Sequence, residues 1–147
     1  IFGTHGAEVE VDLETGKVKV LRFVAAHDVG KVLNKQTLKG QFYGGIVQGL
    51  GYALSEEHKS EKGKNINPNF LDYKIFTAPD VDFPIHLHFV ETHDQEGPFG
   101  AKGVGEPGLV PVAPAIANAI YDAIGVRITS LPITPEKILK ALKGQKA

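Results

Sequence analysis

One stretch limits the possible folds more than any other. From Leu38 to Glu57 the apolar residues Leu38, Phe42, Ile46, Leu50 and Leu54 recur at every fourth position, the pattern of a helix with one buried face. The same stretch carries Gly40, Gly44, Gly45, Gly49 and Gly51. Each glycine costs a helix interior about 1 kcal/mol relative to alanine, so helix formation alone does not account for them. They imply that another element or a ligand comes close to the helix backbone. A membrane dimer of the GxxxG type is the wrong reading, because Gln41, Gln48 and the flanking charges make the segment too polar.

The flanking sequence supplies strands. Val9-Glu10-Val11-Asp12 and Lys17-Val18-Lys19-Val20-Leu21 alternate apolar and polar residues around a Glu14-Thr15-Gly16 turn, which predicts a β-hairpin with one buried face. The second strand is expected to run on to His27 and stop near Asp28-Val29-Gly30. Ile85 to Val90 alternates again and predicts another strand. Asp72–Thr77 and Val126–Ile128 read as short strands, and His58–Asn69 as an exposed polar loop. Pro111 to Ile124 is rich in Ala, Ile and Val and ends at Gly125, which predicts a largely buried helix with a glycine stop. Thr134-Pro135-Glu136 opens a last helix, with Thr as N-cap, Pro at the first helical position and an acid in the first turn.

These 147 residues contain no internal repeat and no linker, so 1–147 is expected to be a single α+β domain of mixed and antiparallel strands packed with helices. A hydrophobic fraction of 42% and a charged fraction of 22% are those of a soluble globular protein. The net charge of −1 gives no electrostatic footprint for nucleic acid or anionic lipid, and no apolar run approaches the ~20 residues of a membrane span. Cysteine is absent, which excludes disulfides, thiolate zinc, iron–sulfur ligation and a Cys nucleophile within the chain. Methionine is absent too, so Ile1 is not an encoded start and the chain reads as part of something longer.

The most unusual segment is the loop Gly97 to Gly108, which holds Gly100, Gly103 and Gly105. It is not a P-loop, since Lys102 follows Ala101 and precedes Gly103, and its glycines run in the reverse order of a dinucleotide fingerprint. What remains is one carboxylate, Glu106, in a tight glycine frame and restricted to extended conformations by Pro107. In a dry, rigid site such a group can act as a general base; on an open loop it is a solvated acid. His86 and His88 share a strand face, either as a metal pair or as ordinary surface residues. His27-Asp28 at a strand end is either a proton-relay pair or turn chemistry.

Taken together, several segments resemble a known family. Gly40-Gln41-Phe42-Tyr43-Gly44-Gly45-Ile46-Val47-Gln48-Gly49-Leu50-Gly51 is similar to the G-Q-x-x-G-G-x-x-Q-G-x-G segment of molybdenum hydroxylases, the family of xanthine dehydrogenase and aldehyde oxidase. Glu8 to Asp12 with Thr15-Gly16, then Asp28-Val29-Gly30-Lys31 and Asn34, resemble the hairpin and turn that precede it there. Asp72-Tyr73-Lys74-Ile75 and the loop ending Ala101-Lys102-Gly103-Val104-Gly105-Glu106-Pro107 have counterparts downstream. The order and approximate spacing hold across nearly the whole chain.

The resemblance implies the C-terminal molybdopterin-binding domain of the large subunit of such an enzyme, incomplete as an isolated chain. It implies molybdopterin as cofactor, in some bacterial relatives as the cytosine dinucleotide, with iron–sulfur centres and FAD on other domains or subunits. The implied reaction hydroxylates a carbon of an N-heterocycle, such as xanthine, or an aldehyde, with water as the oxygen source, in a cytoplasmic multi-subunit enzyme. By the same resemblance Glu106 matches the catalytic base and Gln41 a cofactor contact near the metal. The glycines Gly44, Gly45, Gly103 and Gly105 would let backbone amides approach cofactor and substrate. No residue of the chain is expected to ligate metal, and Lys102 gains no role beyond loop structure. The expected partners are the rest of the molybdopterin-binding subunit, the iron–sulfur and flavin units and a small-molecule substrate. The competing expectation is a cofactor-free assembly or binding domain that has kept the fold without catalysis.

Overall fold

A computed structural model describes residues 1–145. The fold is α+β, and its centre is one strand. Strand β1 (Gly3–Val11) pairs antiparallel with β2 (Val18–Asp28), and β2 pairs parallel with β5 (Ile85–Val90), giving a mixed three-stranded sheet in the order β1-β2-β5. The hairpin register shifts between Glu8 and Val9: Glu8 lies opposite Arg22 and Val9 opposite Val20, leaving Leu21 as the extra residue of a bulge. The bulge changes the alternation, so that Val20 and Phe23, three residues apart, both point into the core.

Helix α1 (Lys35–Leu54) starts earlier than the apolar spacing alone indicates. Asn34 is its N-cap, and the Asn34 side chain accepts from the amides of Gln36 and Thr37 at 3.0 and 3.1 Å. Helix α2 (Val112–Ile124) ends at Gly125 in the left-handed conformation, as its sequence predicts. In α3 (Pro135–Gln145) the Thr134 hydroxyl accepts from the Lys137 amide at 3.4 Å, the expected N-cap arrangement. Phe23, Ile46, Leu50, Val112, Ile116, Ile120, Ile133 and Ile138 form the main core between sheet and helices. A smaller apolar cluster of Val29, Leu38 and Phe42, with Phe89 and Val104 against it, lies beyond the end of β2.

Two expected strands are absent. Residues 72–77 make no ladder; the Asp72 and Tyr73 amides turn back onto the Asn69 carbonyl, and Ser55 Oγ donates to the Lys74 carbonyl at 2.7 Å. Val126–Ile128 is also unpaired, with Val126 buried and Arg127 lying over the Tyr121 ring, 4.2 Å from its centroid. Both segments have strand-forming side chains but no neighbouring strand edge to satisfy their amides. Conversely, the loop expected at 58–69 contains a small antiparallel hairpin, β3 (Ser60–Glu61) with β4 (Lys64–Asn65). No helix among the described residues is long and apolar enough to cross a membrane.

The sheet also hides a pair of imidazoles. Strand pairing brings His5 and His27 together with their Nε2 atoms 2.7 Å apart, and His27 is only 3% exposed. One ring must donate and the other accept, and both Nδ1 atoms are buried without a partner. Burial and then the neighbouring His27 hold His5 down at about 4, and burial also lowers His27. The unfolded chain therefore binds more protons than the folded one between the ordinary histidine value near 6.5 and about 4. Stability from this pair is fully present above that window and is lost as pH falls through it. Urea unfolding between pH 7.5 and 4.5 checks this: stability falls with acidification in the native chain, and the slope flattens in His5→Gln.

Candidate cofactor-facing site

The site is built around the end of β2. Successive strand residues point to opposite faces, and here that separates His27 from Asp28. His27 turns toward His5 and Phe42, whereas Asp28 turns toward the glycine loop, so the two do not form a relay. The Asp28 carboxylate accepts from the Gly30 amide at 3.0 Å, from the Thr92 hydroxyl at 2.8 Å and from the Lys102 ammonium. Lys102, then the Gly30 amide and the Thr92 hydroxyl, hold the Asp28 carboxyl down at about 2. The Asp28 and Lys102 side chains are 11% and 17% exposed, so the ion pair is largely shielded from water.

Lys102 is tied at its backbone as well, its amide donating to the Val29 carbonyl at 2.9 Å. Gly30 makes this approach possible. It has φ +70°, and a Cβ there would lie 2.4 Å from the Gly100 carbonyl oxygen and 2.9 Å from the Lys102 nitrogen. The loop stem is held by Asp94, which accepts from the Glu96 and Gly97 amides at 2.9 and 2.8 Å and donates its own amide to Gly100.

Farther along the loop, Val104 packs on the Val29–Leu38–Phe42 cluster, and the Gly105 carbonyl accepts a hydrogen bond from the Gln41 side-chain amide. Gln41 and Gly105, singled out separately in the sequence, thus touch. They border a groove of about 470 Å³ with Lys31, Leu38 and Gln41 on one side and Lys102, Val104 and Gly105 on the other. Gly103 lies on the exposed stretch between the two anchored residues, and a Cβ on Gly103 or Gly105 would meet nothing within 4 Å.

Glu106 follows directly. Its side chain is exposed and makes no hydrogen bond or ion pair within the described residues, so this chain does not by itself supply the dry enclosure considered above. Gly44 opens on a different groove, lined by Tyr43, Val47, Phe76 and Phe83. Gly45 serves packing: a Cβ there would lie 3.2 Å from the backbone of Gly108 and Leu109. His86 and His88 share the exposed face of β5. Among the described residues no three His, Cys, Asp or Glu side chains gather to hold a metal ion.

Sequence reasoning missed the Asp28–Lys102 pair and the role of Thr92. The partners are 74 positions apart, and the available signal was a long cation inside a loop of small residues.

The α+β domain thus sets the Gln41 amide against the residue that precedes Glu106, in a loop rich in glycine. Residues 1–82 match the family model of the molybdopterin cofactor-binding domain, and the chain belongs to that family. It is 40% identical over 139 residues to the putative xanthine dehydrogenase molybdenum-binding subunit of Escherichia coli, covering 93% of this chain and 18% of that protein. Aldehyde oxidoreductase of Megalodesulfovibrio gigas is 39% identical over 152 residues, covering 98% of this chain and 16% of its own length. The crystal structure of quinoline 2-oxidoreductase from Pseudomonas putida superposes with a TM-score of 0.88 at 35% identity, over 95% of this chain and 18% of that one. The chain thus spans less than a fifth of the length of these relatives.

The two kinds of glycine in the loop region give opposite expectations. Gly30→Ala should destabilise the chain by at least about 1–3 kcal/mol, the usual cost of a strained backbone position, with the clash against Gly100 added. Gly103→Ala should change stability by no more than about 0.5 kcal/mol. Urea unfolding of the two variants beside the parent chain measures both.

Proposed function

We propose that this domain forms one wall of the active site of a molybdenum-dependent hydroxylase, which oxidises a carbon of an N-heterocycle or an aldehyde with oxygen from water. The observation that carries the reading is the anchored loop. Two side chains from elsewhere in the fold, Asp28 and Gln41, fix residues 102–105, and the next residue presents an unpaired carboxylate at the rim. The names of the relatives, which include xanthine, nicotine and quinoline as well as aldehyde, support a heterocycle or aldehyde as the substrate class.

The residues present suit molybdopterin. Gln41 offers an amide oxygen that no group in the described residues occupies, and Gly103 and Gly105 leave open backbone where side chains would fill the space. In this reading Gln41 contacts the cofactor near its metal, and Gly103 and Gly105 line it. Gly44 and Gly45 belong to the same reading through the helix they shape. When bound, the cofactor supplies the two-electron redox chemistry and the site at which oxygen is transferred. Glu106 would act as general base, its carboxylate placed to take up a proton from the water-derived oxygen beside the substrate. Pro107 and the anchored Gly105 on either side hold the base in place. Iron–sulfur and flavin units on other domains or subunits of a cytoplasmic complex carry the electrons away, and the cytosine dinucleotide is one form the cofactor takes. Exposed Phe2, Phe70, Leu71 and Phe99 support extensive coverage of this domain by the rest of such an enzyme.

Glu106→Gln in the complete enzyme keeps the shape and removes the proton acceptor. Reduction of the metal by substrate, followed by rapid mixing, should slow by roughly 10²–10⁴-fold while molybdenum content stays near that of the parent. Reduction at the parent rate would overturn the base assignment. In the same enzyme Gln41→Ala should lower molybdenum occupancy or turnover by roughly 10–100-fold. Metal analysis with steady-state assay decides it: parent values in both would return Gln41 to a loop-anchoring role alone.

A further inference from the structure

We propose that Lys102, held by Asp28, is a positioning residue for Glu106: the buried ion pair sets the register of the glycine loop on the sheet and so fixes where the base stands. The inference rests on the reading of Glu106 as base and assigns the machinery that aims it.

The loop from Gly97 to Gly108 has little means of holding its own shape. Apart from a single turn at Pro98–Gly100 it has no regular structure, and glycines at 97, 100, 103, 105 and 108 leave its backbone permissive. A general base nevertheless has to be held to within about 0.5 Å of its working position. The necessary rigidity is borrowed from the sheet. Asp28 ends the central strand, its amide donates to the Phe2 carbonyl at 2.9 Å, and the next amide, Val29, donates to Val90 at 3.0 Å. Thr92 and the Gly30 amide fix the carboxylate itself. Lys102 then meets this anchor at two points, its ammonium on Asp28 and its backbone amide on the Val29 carbonyl. Three residues separate that double attachment from the base, and of these Val104 and Gly105 are held by the apolar cluster and by Gln41.

A buried ion pair is a poor device for stability alone, because the desolvation of two charges offsets most of their attraction. It is a good device for selecting one register, since a loop slipped by one residue would leave the Asp28 carboxylate buried without its cation. The long stem and single charge of Lys102 serve that purpose amid glycine and alanine neighbours.

The test uses the complete molybdenum-loaded enzyme with Lys102→Met, Glu106→Gln and the two combined. Lys102→Met should slow reduction by substrate roughly a hundredfold, the scale expected for a misplacement of about 1 Å, with molybdenum content unchanged. Added to Glu106→Gln it should slow reduction no further, because its effect passes through the base. Amide exchange should rise in the peptide covering residues 97–108 and stay unchanged in α1 and α2. A Lys102→Met enzyme that reduces at the parent rate, or that loses the same factor in the Glu106→Gln background, would overturn the proposal. Parent-rate reduction by Glu106→Gln itself would instead overturn the base reading beneath it. Where Lys102→Met does not accumulate, Asp28→Asn with Lys102→Met removes both charges and is judged by the same measurements. Failure of that variant to fold would also count against a positioning role and make the pair a stability element.

Discussion

Strand β2 is the constraint on which the rest of the structure depends. It is the central strand, antiparallel to β1 and parallel to β5, and its last residues, together with Val29 and Gly30, are buried. Because side chains alternate along a strand, the end of β2 divides its chemistry between two faces. His27 goes to the aromatic side, 4.7 Å from the Phe42 ring, and Asp28 goes to the loop side. A slip of one residue in the pairing with β5 would exchange the two and leave a carboxylate among Phe23, Phe42 and Phe89. The hydrophobic register of the sheet and the placement of the loop are therefore one decision.

Helix α1 carries that decision across the molecule. Its buried side, Leu38, Phe42, Ile46 and Leu50, spans both apolar clusters, so the helix bridges the main core and the patch beneath the loop. The glycines that disfavour it as an isolated helix permit this position. At Gly49 a Cβ would lie 2.6 Å from Val112, and at Gly108 one would lie 2.9 Å from Phe42. Close approach of α1 to the start of α2 and to the end of the loop recovers through packing what each glycine gives up in propensity. Phe42 is the shared element: it touches His27, Phe89 and the Gly108 backbone, and so joins strand end, sheet edge and loop.

What could be read in the sequence follows from how local each signal is. The hairpin, the β5 alternation, the apolar face of α1 and the Thr134 and Gly125 boundaries depend on neighbours a few positions away, and all are present. Residues 72–77 and 126–128 have strand composition without a strand to pair with, and composition cannot report a missing edge. The bulge at Leu21 was hidden because it depends on backbone geometry more than on hydrophobic pattern, and the cap at Asn34 because it lies a turn ahead of Leu38, the first residue of the apolar spacing. The family was legible because many short matches keep their order. From the loop residues alone, Glu106 was open to both readings, with the solvated acid the more ordinary one. The clamp on the loop was illegible, since Asp28 and Lys102 meet only through the completed sheet.

The exposure of Glu106 is the physical complement of that clamp. A carboxylate acting as base works best where water is excluded, yet the groups that fix its loop, Asp28 in β2, Asp94 after β5 and Gln41 in α1, leave it exposed. Enclosing the carboxylate from within this domain would require side chains at Gly103 and Gly105, where the backbone is bare and the space beyond is open. The domain thus contributes rigidity, and enclosure has to come from whatever faces the rim. Exposed Phe99, at φ +57° within the loop, and exposed Phe2, just before β1, offer apolar surface to a covering element. Under the base reading proposed above, this domain would hold the carboxylate still and a surface facing the rim would have to keep it dry, so that such a site would work only when both halves are assembled.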